Sequence, residues 1–129
     1  MREIKFRAWL KTRKQMVEVD KIEFLNYEGS TLHLIIHYER DAQTYAAFPG
    51  CYELMQFTGS RDRNGKEIYE GDIVKNSFGS LYIIRWVDCM MGFKGEPLNV
   101  KNEVSDVEAS ELEVMGNIYE NKELLGSRE

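Results

Sequence analysis

The chain has 129 residues, of which 43% are hydrophobic and 12% aromatic, so it can bury the core of one domain or of two small β units that share a core. Charged residues make up 30%, no apolar run approaches the roughly 18 residues of a membrane-spanning helix, and the N-terminus lacks the apolar stretch of a secretory signal. We therefore expect a cytoplasmic protein without membrane contact, whose two cysteines, Cys51 and Cys89, are reduced thiols.

The net charge of −5 is unevenly distributed along the chain. Residues 1–16 carry six Lys or Arg and one Glu, whereas the acidic segment, Glu103 to Glu113, carries five Asp or Glu and no Lys or Arg. An acidic chain is a poor general ligand for polyanions, because phosphate contacts need Lys and Arg. We interpret the basic N-terminal residues as a solvated strand edge, charged to prevent association between sheets.

Alternating apolar residues predict strands through the first half of the chain. Residues 4–10 alternate apolar and polar side chains, which is typical of a half-buried strand. Strand character resumes over 16–25, and the Asn, Gly and Ser residues of 26–30 predict a turn. Residues 31–38 give the strongest strand pattern of the chain. For residues 41–47 the sequence leaves a helical turn and a loop as alternatives.

The rest of the chain is organised around residues 54–74, which read LMQFTGSRDRNGKEIYEGDIV. Two strand-like runs flank a polar stretch from Gly59 to Lys66, which we call the central loop. The Asn64-Gly65 pair in this loop predicts a tight turn with positive φ at both residues. Gly71 interrupts the second run and predicts a β-bulge or a close backbone contact.

Two further strands and two short helical turns are predicted in the last third of the chain. The strands cover residues 81–87 and 112–119, and the Gly and Pro residues within 90–97 are interpreted as breaks between them. Helical turns are predicted at 106–109 and 120–125, of which the second is too short to be stable unless it docks onto the rest of the protein.

These elements predict a mainly β fold with at most short helical turns. We expect an N-terminal β-hairpin unit, residues 1–53, packed with a C-terminal SH3-like β-barrel, residues 54–129, with one continuous domain as the alternative. The sequence GDIV, from Gly71 to Val74, is a common entry into a strand of SH3-like barrels.

Three segments resemble the YopX proteins, which are small proteins encoded by bacteriophages and prophages of mainly Gram-positive bacteria. They are REIKFRAWLKTRKQMV at 2–17, MQFTGSRDRNGKEIYEGDIV at 55–74 and EVMGNIYENKELL at 113–125. Ser60 and Lys122 are the small departures from the usual pattern, and the resemblance covers the whole chain. It implies a β-rich fold with an SH3-like C-terminal part, a phage or prophage origin, and neither enzymatic activity nor catalytic residues.

No residue pattern in the sequence indicates catalysis, a cofactor or a metal site. His33 and His37 are four residues apart on a predicted strand, which separates them by about 13 Å, too far for one zinc ion. The carboxylates between Asp62 and Asp72 are explained more simply by salt bridges with the Arg and Lys residues beside them. The sequence has neither a GxSxG elbow nor a phosphate-binding glycine loop. We therefore expect a protein that is not an enzyme and has no cofactor and no metal.

The surface around the central loop is the candidate binding surface. Its residues are Arg61, Asp62, Arg63, Asn64, Lys66, Tyr69 and Glu70. We expect a phage or prophage accessory protein that acts as a non-enzymatic protein-interaction or assembly module, through a protein partner or by self-association. The alternative is a nucleic-acid-binding module that uses the SH3-like barrel and the basic edge formed by Arg61, Arg63 and Lys66.

A structural role for the central loop competes with a role in binding. Asp62 and Asn64 have short polar side chains that are expected to bond the backbone amides of their own loop and to hold its shape. In this interpretation the loop packs across the junction between the N-terminal β unit and the barrel.

Overall fold

The computed structural model describes residues 2–25, 33–100 and 103–128. Its strands in these ranges are β1 (Phe6–Leu10), β2 (Gln15–Glu18), β3 (Lys21–Leu25), β4 (His33–Arg40), β5 (Gln43–Ala47), β6 (Tyr52–Arg61), β7 (Glu67–Tyr69), β8 (Asp72–Lys75), β9 (Leu81–Val87), β10 (Gly92–Pro97) and β11 (Glu113–Asn117). Its 3-10 helices are η1 (Asp88–Met90), η2 (Ala109–Glu111) and η3 (Lys122–Arg128), the last interrupted at Gly126. The predicted mainly β class with only short helical turns is confirmed.

Some sequence predictions concern residues outside these ranges. The turn predicted at 26–30 and the first two residues of the strand predicted at 31–38 lie outside the described residues. Within the described part of the chain, no helix combines the length and the apolar character that crossing a membrane requires.

Among the described residues, the strand pairs are all antiparallel and form three sheets. Their strand orders are β2-β1-β6-β7, β3-β4-β5 and β10-β9-β8-β11. The chain divides into an N-terminal unit, Lys5–Gln56, and a C-terminal unit, Met1–Ile4 with Phe57–Glu129. The long strand β6 contributes its first half to the N-terminal unit, where it pairs with β1, and its second half to the C-terminal unit, where it pairs with β7.

The N-terminal unit has its own hydrophobic core. The alternation in β1 places Ala8 and Leu10 on one face, and both are buried. Apolar side chains of β2, β4 and β5 complete this core, whose buried members are Ala8, Leu10, Val17, Ile36, Tyr38 and Ala47. The rings of Tyr38 and Tyr45, which face each other across β4 and β5, stack with centroids 5.6 Å apart.

The segment 41–47 is neither the helical turn nor the loop that the sequence left as alternatives. Asp41 and Ala42 form a two-residue turn, with φ of 51° and 63°, and β5 follows as a strand that pairs with β4. Two-residue hairpin turns often need positive φ at both residues, and Gly or Asn usually occupies them. The Asp-Ala pair contains neither Gly nor Asn, which is why the sequence did not predict this hairpin.

The C-terminal unit is built around the sheet β10-β9-β8-β11. One cluster of its buried apolar side chains consists of Ile68, Val74, Ile84 and Leu112. The break predicted at 90–92 is confirmed, because η1 and Met91, with a φ of 52°, separate β9 from β10. The break predicted at 95–97 is wrong, because β10 pairs with β9 from Gly92 to Pro97. Gly95 is required by packing, since a Cβ there would lie 2.8 Å from Cγ1 of Val107. Pro97 ends the strand, a position at which a missing N–H is tolerated.

Gly71 lies in the short turn between β7 and β8 rather than in a β-bulge within one strand. Its φ is 87°, its N–H donates to the carbonyl of Ile84 at 2.8 Å, and its carbonyl accepts from the N–H of Ile118 at 3.0 Å. The predicted close backbone contact is confirmed. A residue with a Cβ would be strained at this φ, so glycine fixes the entry into β8.

Candidate functional site

The seven residues of the candidate binding surface lie on the end of β6, in the central loop, on β7 and in the turn after β7. Asp62 and Tyr69 are buried, with 7% and 8% of their surface exposed. Glu70 is half-buried, and the other four are exposed: Arg61, Arg63, Asn64 and Lys66. The seven residues therefore lie on neighbouring elements, but only some of them are exposed to solvent.

Asp62 is the centre of the central loop. Its Oδ1 accepts hydrogen bonds from the backbone N–H of Asn64 at 2.8 Å and of Lys66 at 2.9 Å, and its Oδ2 accepts from the N–H of Val114 at 2.9 Å. The predicted shape-holding role is confirmed for Asp62, whereas Asn64 contributes its backbone amide to the same arrangement. One carboxylate therefore closes the loop and fastens it to β11.

The backbone of the loop follows from this arrangement. The N–H of Asp62 donates to the carbonyl of Lys66 at 2.7 Å, and the N–H of Gly65 donates to the carbonyl of Asp62 at 3.0 Å. Gly65 has a φ of 83°, but Asn64 does not have positive φ, so the predicted turn with positive φ at both residues is wrong. The side chain of Asp62 replaces a simple two-residue turn with a five-residue loop.

Opposing effects set the acidity of Asp62. Burial raises the pKa of its carboxyl, whereas the hydrogen bonds from the amides of Val114, Lys66 and Asn64, together with the Lys66 charge, lower it. The net effect holds the pKa below its ordinary value of 3.8. Asp62 is therefore a stable anion at neutral pH, with its oxygens already occupied by amide donors.

The two exposed arginines of the candidate surface are held in ion pairs. Arg61 Nη2 lies 3.2 Å from Glu67 Oε2 and 3.3 Å from Glu3 Oε1, and its guanidinium lies 5.6 Å from the Phe57 ring. Arg63 Nη2 lies 2.8 Å from Glu113 Oε2. These carboxylates neutralise most of the positive field that the nucleic-acid alternative requires.

Tyr69 belongs to the packing of the C-terminal unit. Its ring centroid lies 5.5 Å from that of Phe57, which is fully buried, and its hydroxyl donates to Glu67 Oε1 at 3.4 Å. A ring in this position stabilises the β6–β7 pair and is not available to stack on a base.

The segment 113–125 packs against the segment 55–74; both are segments that resemble the YopX proteins. Strand β11 pairs with β8, and the N–H of Arg63 donates to the carbonyl of Leu112 at 2.9 Å. After β11, the side chain of Asn117 accepts from the N–H of Glu120 at 2.8 Å, and Asn121 Oδ1 accepts from the N–H of Asn117 at 3.1 Å. The two segments therefore form one hydrogen-bonded assembly, and much of their sequence is explained by folding.

A cavity of about 260 Å³ in the C-terminal unit is the second candidate site. It is partly open to solvent, and apolar side chains from β7, β9, β10 and the acidic segment form most of its lining: Ile68, Ile84, Phe93, Val107, Ala109 and Leu112. Thr58 and Ser60 of β6 complete it. The Thr58 hydroxyl donates to the Ile68 carbonyl at 2.8 Å and accepts from the Ser60 N–H at 3.2 Å, so it is already hydrogen-bonded.

An exposed aromatic side chain extends the apolar surface beyond this cavity. Phe93 lies opposite Trp86 in the β9–β10 pair, and the two rings meet edge to face with centroids 5.1 Å apart. Trp86 is 46% exposed, and its indole N–H donates to Asp88 Oδ1 at 2.6 Å. A ligand in the cavity would therefore lie near an aromatic pair at its edge.

The sequence did not indicate the cavity. Its lining residues come from five separate stretches of the chain, and each stretch taken alone has the pattern of an ordinary core strand or loop. One signal was present: within the acidic segment, Ser105, Val107 and Ala109 are half-buried and alternate with exposed residues. This alternation is typical of an extended segment that packs one face against the protein.

Comparisons with known proteins agree with this fold. The family model described as YopX protein matches residues 5–126. Among solved structures, the chain is similar to protein EF1440 from Enterococcus faecalis, with 27% identity, a TM-score of 0.61, and coverage of 97% of this chain and 99% of that chain. It is similar in fold to protein yopX from Bacillus subtilis, with 20% identity, a TM-score of 0.57 and 98% of each chain covered. No curated protein matches. Because the family model matches almost the whole length, the chain belongs to the YopX family.

Proposed function

We propose that this protein is a phage or prophage accessory protein that acts in the bacterial cytoplasm as a non-enzymatic protein-interaction or assembly module. The observation that carries the proposal is the partly open cavity of about 260 Å³ in the C-terminal unit, most of whose lining residues have apolar side chains. Six of its eight lining residues have apolar side chains that could contact an apolar group from a partner, and Thr58 and Ser60 add hydroxyl groups, so the exposed lining is polar as well as apolar. The SH3-like character of this unit remains a prediction.

The central loop has a supporting role in this proposal. The contacts of Asp62 with the amides of the loop and of β11 hold the β11 side of the C-terminal unit, where Leu112 lines the cavity. We therefore propose that the loop shapes the binding site, and that Arg61 and Arg63, already in ion pairs, contribute little to partner affinity.

Capture of partners by the tagged full chain, expressed in the bacterium that carries its gene, tests this function. The decisive variant is Ala109→Leu, which adds three carbons inside the cavity. Ser110→Leu is its matched control, because it adds a similar apolar group to the exposed neighbour. We expect the wild type and Ser110→Leu to retain one stoichiometric protein partner, or a second copy of the chain, and Ala109→Leu to lose it while its Tm stays within a few degrees.

The nucleic-acid alternative gives a different result in the same experiment. Nuclease treatment and raised salt would then remove the captured material, because counterion release makes such binding steeply salt-dependent. Loss of capture on replacing Arg61 and Arg63 by Gln, with Ala109→Leu behaving as wild type, would overturn the proposed function.

A further inference from the structure

Strand β5 is an open edge of the sheet β3-β4-β5. The two-residue turn that joins β4 to β5 makes Arg40 and Gln43 the first hydrogen-bonded pair, and bonded and non-bonded pairs then alternate along the two strands. The backbone N–H and C=O groups of Thr44 and Ala46 therefore point away from the sheet. None of these four groups is hydrogen-bonded to another described residue, and both residues are exposed.

The other sheet edges in the described part of the chain are protected against pairing. β3 contains Lys21 and Glu23, and charged side chains on an edge strand oppose association. β2 has four residues and ends at the exposed Glu18, and β7 has only three residues. The outer edge of β10 exchanges two hydrogen bonds with Ser105, and β11 is bonded to the central loop. β5, which reads QTYAA, has neither a charged side chain nor such a cover.

From this unprotected edge we infer that two copies of the chain pair through β5, antiparallel and about a two-fold axis at Tyr45. This register uses every outward backbone group of Thr44 and Ala46. Thr44 of each copy lies opposite Ala46 of the other and exchanges two N–H···O bonds with it. The two three-stranded sheets then form one continuous six-stranded sheet.

Two observations favour a second copy over an unrelated strand. In this register Tyr45 lies opposite Tyr45 of the other copy in a pair without hydrogen bonds, where side chains come closest. Tyr45 already stacks on Tyr38 with ring centroids 5.6 Å apart, so the pairing extends an existing aromatic stack. The two-fold arrangement also prevents further growth, because both outer edges of the combined sheet are β3, with Lys21 and Glu23.

Sedimentation velocity of the full chain at increasing concentration tests this inference. A pair of five-residue strands is a small interface, typical of weak association, so we expect a dimer with a Kd of about 10–100 μM. Ala46→Pro removes one outward N–H and keeps the bonds to β4, and Ala46→Lys places a charge on the edge. Each should weaken dimerisation by about tenfold or more. Gln15→Lys, which adds the same charge to an exposed residue of β2, is the matched control and should dimerise as the wild type does.

Disulfide formation tests the register, in a background in which Cys51 and Cys89 are replaced by Ser. Mixed Thr44→Cys and Ala46→Cys chains should form a disulfide between the two variants, because opposite residues of a bonded pair have Cα atoms about 5.5 Å apart. In either variant alone the two cysteines are diagonal neighbours, about 7–8 Å apart, which is too far for a disulfide. Disulfides within each variant as abundant as the mixed disulfide would overturn the pairing.

A chain that remains monomeric up to about 1 mM would overturn the inference. So would wild-type dimerisation of both Ala46 variants, with thermal denaturation showing that each is folded, because the interface would then lie elsewhere. The inference is independent of the proposed function, since β5 belongs to the N-terminal unit and the cavity to the C-terminal unit. A pair with this Kd dissociates during the washing of a capture experiment, so sedimentation and capture give separate answers.

Discussion

The central loop and the acidic segment are both polar and exposed in part, yet they use their charged groups differently. In the central loop, Asp62 is bonded to three backbone amides and both arginines are paired with carboxylates. In the acidic segment, Glu108 and Glu111 have no ion pair within the described ranges, and their neighbours Val107, Ala109 and Leu112 line a cavity. The charged groups of the central loop therefore serve folding, whereas the acidic segment contributes apolar side chains to a cavity wall and leaves two glutamates exposed.

The largest stability effect is expected for Asp62→Ala. This variant leaves three partly buried amides of the loop and β11 without their acceptor, and each loss costs about 1 kcal/mol, so the free energy of unfolding should fall by about 3 kcal/mol. Urea denaturation followed by circular dichroism measures it. The matched control is Asp106→Ala in the acidic segment, an 84% exposed partner of Lys94, which should cost less than about 1 kcal/mol. Equal losses in the two variants would remove the distinction between the two regions.

The second expected effect is on the pH dependence of stability. The pKa of Asp62 is lower in the folded protein than in the unfolded chain, so the folded state binds this proton more weakly. The contribution of Asp62 is therefore complete above the unfolded pKa of about 3.9 and is lost as pH falls through the folded pKa. The stability difference between the wild type and Asp62→Asn should be constant from pH 5 to 7 and should shrink below about pH 4. A difference that grows on acidification would contradict this assignment.

A smaller loss of stability is expected from a substitution at Gly116 in β11. A Cβ at Gly116 would lie 2.9 Å from the Cβ of Asn121, whose side chain accepts the N–H of Asn117. Gly116→Ala should displace Asn121 and lower the free energy of unfolding by about 1–2 kcal/mol. Gly92→Ala is the control, because its nearest neighbours would be at 3.7 Å and 3.9 Å, and it should be neutral or slightly stabilising. Thermal denaturation of the two variants gives the comparison directly.

The smallest effect on stability is expected in the acidic segment. Glu108→Gln with Glu111→Gln removes two exposed charges without an ion pair in the described structure, so the free energy of unfolding should change by less than about 0.5 kcal/mol. A large loss of stability would show that these glutamates serve the fold, as Asp62 does.

The sequence predicted most strands because their alternation is local. Strands β1, β4, β9 and β11 follow apolar periodicity that is visible in the residues themselves. Strand β5 was missed because its turn is made by Asp41 and Ala42, which rarely adopt positive φ together. Strand β10 was missed because Gly95 and Pro97 usually break strands, whereas Gly95 is set here by close contact with Val107.

The candidate site was less predictable because it depends on contacts between distant residues. The sequence indicated that Asp62 would bond its own loop, but Val114, its third donor, is 52 residues away. Arg61 was assigned to a binding surface, and its pairing with Glu3, 58 residues away, depends on the fold. The cavity is formed by several strands and one extended segment, so no local pattern could reveal it.

The edge-to-face contact of Trp86 and Phe93 gives the protein an intrinsic optical reporter. Trp86 is one of only two tryptophans in the chain, and its ring lies against a side chain that lines the cavity. An occupant that moves Phe93 or excludes water from the indole should change the emission wavelength or intensity of Trp86. The other tryptophan, Trp9, lies on β1 of the N-terminal unit and provides an internal reference. Unlabelled protein can therefore be titrated with candidate partners by fluorescence, with Trp9→Phe isolating the signal of the cavity.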